Sequence, residues 1–266
     1  MSSLFQSLIF GIVQGIGEFV PISSTAHLIL VPYFTGWKDP GLSFDVALHL
    51  GTLIAVLAYF WKDWVNILNS SWLNVKRNGV KGFKNDLLFY LIIATVPGVI
   101  FGLLLEKKAE SIFRSPILIA LTLIIAGMFL YWADKKWAGK KEIKDLNIKN
   151  ALIIGLAQAF AVIPGVSRSG ATITAGLWQK LNKISAARFS FLLSTPIIAG
   201  AALLKLPSLL KNGLDTFLIV GILSSAISGF LAIKFLLKFL EKYGYGLFFW
   251  YRLILGIIIL LFYFFK

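Results

Sequence analysis

Residues 151–165 read ALIIGLAQAFAVIPG, and the way this stretch ends decides how the second half of the chain sits. It is apolar enough to enter a bilayer, but Pro164-Gly165 breaks it, and the apolar stretch at 170–179 that follows is too short to cross alone. A helix needs about 20 mostly apolar residues to span. If 148–165 crossed fully, Lys180, Lys183, Arg188, Lys234, Lys238 and Lys242 would all lie outside, with Lys205, Lys211 and Lys266 inside. If the segment instead dips in and returns as a helix–loop–helix, the groups exchange sides and the basic excess falls in the cytoplasm. The positive-inside rule selects the re-entrant arrangement. Irregular backbone at membrane depth is tolerated only where protein or a water-filled cavity satisfies it, so a site is expected there.

Outward from this segment, the 266 residues are 58% hydrophobic, against roughly 45–50% apolar in a soluble domain. Residues 87–105, 115–132 and 247–265 have spanning length, and 44–60, 188–206 and 215–233 come close. The N-terminus, MSSLFQSLIF, lacks the basic region of a signal peptide and a small-residue cleavage site, so the first segment is expected to remain in the mature protein. Absence of cysteine excludes disulfides and thiolate chemistry. The formal charge of +14 comes from lysines in short loops between apolar segments, which is membrane orientation and attraction to anionic lipid, not nucleic-acid binding. Residues 61–86 and 133–149 carry most of it and are expected as cytoplasmic loops, with Trp61, Trp64, Trp132 and Trp137 beside them as an interfacial belt. The loop at 106–114 then faces outward with mixed charge from Glu106, Lys107, Lys108, Glu110 and Arg114.

An earlier stretch resembles the deciding one. Residues 11–24 read GIVQGIGEFVPISS and 155–167 read GLAQAFAVIPGVS; Gly11, Gln14 and Pro21 match Gly155, Gln158 and Pro164 with one residue of slip. The span at 44–60 runs from outside to inside, so a re-entrant 1–35 enters from outside while the second unit enters from inside. The expected fold is therefore an all-α polytopic membrane protein in one integral membrane domain over residues 1–266. It has about six transmembrane helices plus two re-entrant helix–loop–helix segments in an inverted repeat, repeat 1 at about 1–132 and repeat 2 at about 148–266, with a cytoplasmic basic loop between them.

The first motif runs Gln14-Gly-Ile-Gly-Glu18-Phe-Val-Pro21-Ile-Ser23-Ser24-Thr25-Ala-His27. Gln14 and Glu18 share a helix face. Glu18 is the sole carboxylate of the first 38 residues, and an ionisable group in a membrane segment is a functional candidate by default. Its plainer reading is an acid neutralised by Arg168. Ser23, Ser24 and Thr25 are N-cap residues for a second short helix starting near Ala26, whose free N–H groups make an anion site with His27 in the first turn. Gly11, Gly15 and Gly17 read as close helix packing. The second motif, Pro164-Gly-Val-Ser167-Arg168-Ser169-Gly170-Ala-Thr172, offers a backbone nest and a planar guanidinium that can hold phosphate oxygens in pairs; Ser169 and Thr172 also read as caps. Asp45 and His49 are spaced i,i+4; they read either as a second polar wall to the site or as a pair with each other near the outer end of the span, and are left out of the site residues.

These two motifs resemble the signature segments of the undecaprenyl-diphosphate phosphatase family of the bacitracin-resistance type. The likeness extends over the whole chain in length, hydrophobic segments and motif placement. The family's first motif carries Glu or Gln at the position of Gln14; Gln here leaves one carboxylate instead of two, which weakens a chelate. The resemblance implies a divalent cation, magnesium or calcium, with Glu18 as its protein ligand. It also implies a catalytic centre open to the outer face and a polyprenyl diphosphate recycled for cell-wall synthesis. Combined with the residue reading, Arg168 and the two helix starts bind the diphosphate, Glu18 holds the cation or acts as a base, and His27 is general acid/base. Ser24 is the nucleophile activated by His27, with direct attack by water as the competitor. Gln14, Ser23, Thr25, Ser167, Ser169, Gly170 and Thr172 line the substrate. Membrane lipids are the other partners, nucleic acid is none, and a homodimer is left open. The rival from another class is an inverted-repeat carrier for polyprenyl phosphate. The other membrane lipid phosphatase signature requires a His after Ser167-Arg168, and His27 and His49 are the two in the chain. P-loop, Gly-x-Ser-x-Gly and His-Glu-x-x-His motifs are absent.

Overall fold

A computed structural model describes residues 3–109, 111–212 and 215–265. Glu110 and Lys266, counted above among the loop charges, lie outside them, as do the side chains of Glu106, Lys205 and Lys211. The described residues form helices α1 (Leu4–Phe19), α2 (Ser24–Thr35), α3 (Leu42–Tyr59), α4 (Trp61–Phe83), α5 (Leu87–Ala109), α6 (Pro116–Lys136), α7 (Ile148–Ala159), α8 (Arg168–Trp178), α9 (Lys183–Asn212), α10 (Thr216–Leu240) and α11 (Gly246–Phe265). Five of them, α5, α6, α9, α10 and α11, are long and apolar enough to cross a membrane, or six if α3 and α4, bent by 72° at their junction, are counted as one span. Large apolar side chains such as Leu104, Leu203, Ile227 and Phe264 face outward along them, as they do when lipid is the solvent. The chain is a multi-pass helical membrane protein.

Local chemistry sets the short helices. Ser3 and Gln6 form a reciprocal capping box at the start of α1. Pro21 restricts Val20 to extended backbone, so α1 stops at Phe19. Asn147 and Asn150 make the equivalent box for α7, which tightens into a 3₁₀ turn over Phe160–Val162 before Pro164. Both helices that follow a break, α2 and α8, are preceded by a serine with positive φ, Ser23 at 75° and Ser167 at 71°. Non-glycine residues held there cost about 1–3 kcal/mol each and cluster at functional sites.

Two expectations are corrected. Residues 61–86 are a helix, not a loop, over most of their length: α4 leaves α3 at a 72° bend and carries Lys62, Lys76, Arg77 and Lys81 alongside exposed Trp61, Leu68 and Trp72. That mixture is the composition of a helix lying in the interface. The helix expected near Ala26 begins at Ser24, and the Ser23 side chain does not cap it.

The two halves interleave. α1 packs along α10, with Gly15 so close that an added Cβ would meet the Gly229 nitrogen at 2.6 Å. In the other half α7 packs along α5, with Gly155 against the backbone of Ala94. Small residues allow this approach where lipid supplies no hydrophobic drive between helices. α2 buries Ala26, Ile29 and Leu30 against Ile119, Ala120 and Leu123 of α6 and Ile259 of α11; α8 also packs on α6, and α3 packs on α9. The two breaks, 20–23 and 163–167, thereby come together in the interior.

Candidate active site

The breaks are tied by their own polar groups. Ser23 Oγ accepts from the Gly165 nitrogen at 3.0 Å, so the side chain expected to cap α2 bridges to the other motif instead. Ser167 does cap its own helix, accepting from the Gly170 nitrogen at 3.1 Å, and its Oγ lies 3.2 Å from that of Ser169. Thr122 of α6 donates to the Pro164 carbonyl at 2.7 Å. Arg252 of α11 is fully buried and donates to the carbonyls of Leu123, Pro21, Gly165 and Val166, closing the orphaned oxygens of both breaks with one guanidinium.

Glu18 sits at the junction, 6% exposed. Its Oε1 accepts from Arg168 Nη2 at 2.9 Å, which joins the two motifs by an ion pair. Its Oε2 accepts from Gln14 Nε2 and from Ser24 Oγ, both at 3.0 Å, and His49 Nε2 approaches it to 3.4 Å. Arg168 is steered from its other side, Nη1 donating to the Ser190 carbonyl at 2.7 Å, while Thr172 Oγ1 lies 2.7 Å from Ser190 Oγ. Arg168 Nε and Gln14 Oε1 are buried with no protein partner. An unmatched buried donor on a guanidinium is costly unless an acceptor is supplied, and a phosphate oxygen is one.

The structure therefore gathers Gln14, Glu18, Ser24, Arg168 and Thr172 into one chain of contacts, with Ser23, Ser167, Ser169 and Gly170 forming the floor under it. Thr25 is half-buried in the first turn of α2. His27 does not meet Ser24: Nδ1 lies 2.7 Å from the Ser23 carbonyl, Nε2 lies 2.7 Å from the Tyr251 hydroxyl, and the two rings stack. The base in contact with Ser24 is Glu18. Two further residues belong here. His49 joins the polar wall of the site, its second ring nitrogen 3.4 Å from Glu18 Oε2. Arg252 lay inside an apolar run and was passed over; a lone charge in a spanning segment was the signal that could have found it.

The donor set does not suit a cation on Glu18. The atoms that Gln14, Ser24 and Arg168 turn to the carboxylate carry hydrogen, and the guanidinium already brings a positive charge. No cluster of three or more His, Cys, Asp or Glu side chains occurs among the described residues. Magnesium and calcium require lone pairs from oxygen. Glu18 as metal ligand is not supported by this arrangement. Nothing in it is built as a metal cage.

The sequence pattern of one family, described as "Bacitracin resistance protein BacA", matches residues 7–258. The chain belongs to this family. Among curated BacA-like relatives, the Moorella thermoacetica protein named undecaprenyl-diphosphatase is 53% identical, over 97% of this chain and 97% of its own. A protein of the same name from Pelotomaculum thermopropionicum is 51% identical over 97% of this chain and 96% of its own. One from Thermodesulfovibrio yellowstonii is 47% identical over the full length of both. Both motifs of this BacA family member lie inside the matched range.

Proposed function

We propose that this chain is an undecaprenyl-diphosphate phosphatase. It hydrolyses polyprenyl diphosphate to polyprenyl monophosphate and phosphate, recycling the lipid carrier for peptidoglycan and cell-wall synthesis and so conferring bacitracin resistance. Family membership and the names of near full-length relatives support this reading. The observation that carries the site assignment is the buried chain Ser24–Glu18–Arg168, a hydroxyl, its base and an oxyanion-holding cation, where two helix starts meet.

The diphosphate lies against the N-termini of α2 and α8, whose free N–H groups and dipoles favour anions. Arg168 turns its guanidinium, with the unmatched Nε, to the terminal phosphoryl oxygens and stabilises the charge that spreads over them in the transition state. Ser24 Oγ attacks the terminal phosphorus, and its proton passes to Glu18 Oε2. The bond from that phosphorus to the bridging oxygen breaks, and polyprenyl monophosphate leaves with the electron pair. Water then attacks the phosphoserine; Ser24 Oγ leaves and recovers its proton from Glu18, and the water proton departs with phosphate. Direct attack by water with Glu18 as base uses the same residues. Gln14 holds Glu18, while Ser23, Ser167, Ser169, Gly170 and Thr172 shape the nest. His27 with Tyr251 fixes the first turn of α2, and an acid–base part for His27 requires that contact to open. The magnesium or calcium implied by the family resemblance would be held by the diphosphate oxygens, whose charge it would offset, and not by a protein cage.

The basic segments, including interfacial α4, are placed on the cytoplasmic side by their charge. On that orientation α1–α2 enters from outside, α7–α8 from inside, and the site opens to the outer face. The crossed packing of α1 on α10 and α7 on α5 supports the inverted repeat. It is also the observation that favours the second reading, a carrier of polyprenyl phosphate. The test is phosphate release from undecaprenyl diphosphate by purified protein in detergent, with Glu18→Ala and Arg168→Ala beside it. Release lost in both variants is expected. Release unchanged in Arg168→Ala refutes the site, and lipid translocation lost with hydrolysis intact in that variant favours the carrier.

A further inference from the structure

Glu18 is met by donors from α1, α2, α8 and α3, and only the last has no part in the reaction above. That donor is His49. Its Nδ1 lies 2.7 Å from the Asp45 carbonyl, one helical turn back. A carbonyl can only accept, so Nδ1 carries hydrogen and the orientation of the ring is set. Nε2 then faces Glu18 Oε2, 3.4 Å away, the same oxygen that accepts from Ser24; it donates there as the doubly protonated imidazolium, paired with the carboxylate. The helix behind the ring is held as well. Thr52 Oγ1 donates to the His49 carbonyl at 3.0 Å, Ser225 of α10 donates to the Leu48 carbonyl at 2.9 Å, and Gly51 packs against the backbone of Ile222.

We propose that His49 is a positioning residue for phosphoryl transfer, holding Glu18 Oε2 on Ser24 Oγ while Arg168 is engaged by the substrate. This inference rests on the phosphatase reading. Its logic is the fate of the carboxylate during turnover. In the structure Arg168 anchors Oε1; once that guanidinium turns to the terminal phosphoryl oxygens, Glu18 loses its strongest tie. Gln14, from its own helix, and His49, from a neighbouring one, are the two side chains that remain to fix the plane of the carboxylate. Loss of either lets Oε2 swing from Ser24, and a displacement of about 1 Å can cost about 10²-fold in rate. His49 touches no position assigned to the diphosphate, so its effect falls on kcat and not on KM.

The measurement compares steady-state phosphate release from undecaprenyl diphosphate by wild type, His49→Leu and His49→Gln, each purified in detergent and matched for thermal midpoint. His49→Leu is expected to lose about 10- to 100-fold in kcat with KM within about threefold of wild type. His49→Gln keeps an N–H donor at similar reach and is expected to recover kcat to within about fivefold. Should the Leu variant fail to fold, His49→Asn, polar but shorter, takes its place and is expected to be slow. Wild-type kcat in the Leu or Asn variant overturns the inference, as does a Gln variant no faster than Leu, or a rise in KM with kcat intact. A folded wild type that releases no phosphate overturns the phosphatase reading and this inference with it; an active wild type with an equally active Leu variant overturns this inference alone.

Discussion

The two helix breaks share a backbone and differ in what they do with it. Each follows a helix bearing a glutamine, Gln14 in α1 and Gln158 in α7, and ends on a positive-φ serine that starts the next helix. At the first break Gln14 donates to Glu18; four residues after Gln158 stands Val162, and Gln158 donates instead to the Ala94 carbonyl. Ser23 reaches across to the Gly165 nitrogen, whereas Ser167 caps its own helix. On the proposed mechanism one break carries the reactive pair, Glu18 and Ser24, and the other the phosphate-holding Arg168. Two similar breaks that meet at two helix starts would then offer an anion site, which their differing side chains make catalytic.

The division can be broken most severely at the binding side. Arg168→Ala is expected to lower kcat/KM about 10³-fold or more, the scale of a cationic group acting on a phosphoryl transition state, measured as phosphate release. On the reactive side Glu18→Gln keeps an oxygen for Arg168 but removes the base, and is expected to cost about 10²–10⁴-fold in kcat. Gly17→Ala sharpens the geometry: an added Cβ would stand 2.7 Å from Ser24 Cα, so Ser24 must shift, and a loss of about 10²-fold in kcat is expected without loss of binding. Arg252→Met leaves three carbonyls of the two breaks, those of Pro21, Gly165 and Val166, and the Leu123 carbonyl of α6 to find new donors. A fall in the thermal midpoint is expected together with reduced kcat. The smallest effect tests the asymmetry itself. Gln158→Leu is expected to stay within about threefold of wild-type kcat, since its amide donates to the Ala94 backbone carbonyl and not to a carboxylate, whereas Gln14→Leu is expected to fall about tenfold.

Much of this was legible from residue order because membrane solvation imposes strong constraints. Spanning length, the Pro21 and Pro164-Gly165 breaks, and isolated Glu18 and Arg168 each had one dominant physical reading. What sequence spacing misled on was direction. His27 sits three residues from Ser24, but its ring turns along α2 to Tyr251 of a distant helix. His49 read as either a wall of the site or the partner of Asp45, because i,i+4 spacing puts the two on one face; the bond made there is to the Asp45 backbone, which leaves the far nitrogen for Glu18. The basic segment after α3 lacks a spanning apolar run and reads as a loop, yet most of it is helical, leaving α3 at a 72° bend and kinked again at Gly79. Arg252 could not be placed without knowing that Pro21 and Gly165 lie side by side. Each miss concerns a contact made across the fold.

The central claim is that one buried chain, Ser24–Glu18–Arg168, performs the hydrolysis, with Ser24 as the attacking atom. Its most direct test is rapid quench of wild type with undecaprenyl diphosphate labelled in the terminal phosphate, followed by mass analysis of the peptide containing Ser24. The account predicts a phosphorylated Ser24 that forms and decays at rates compatible with turnover and is missing from Ser24→Ala, which is correspondingly inactive. A Ser24→Ala variant that releases phosphate at the wild-type rate would contradict it.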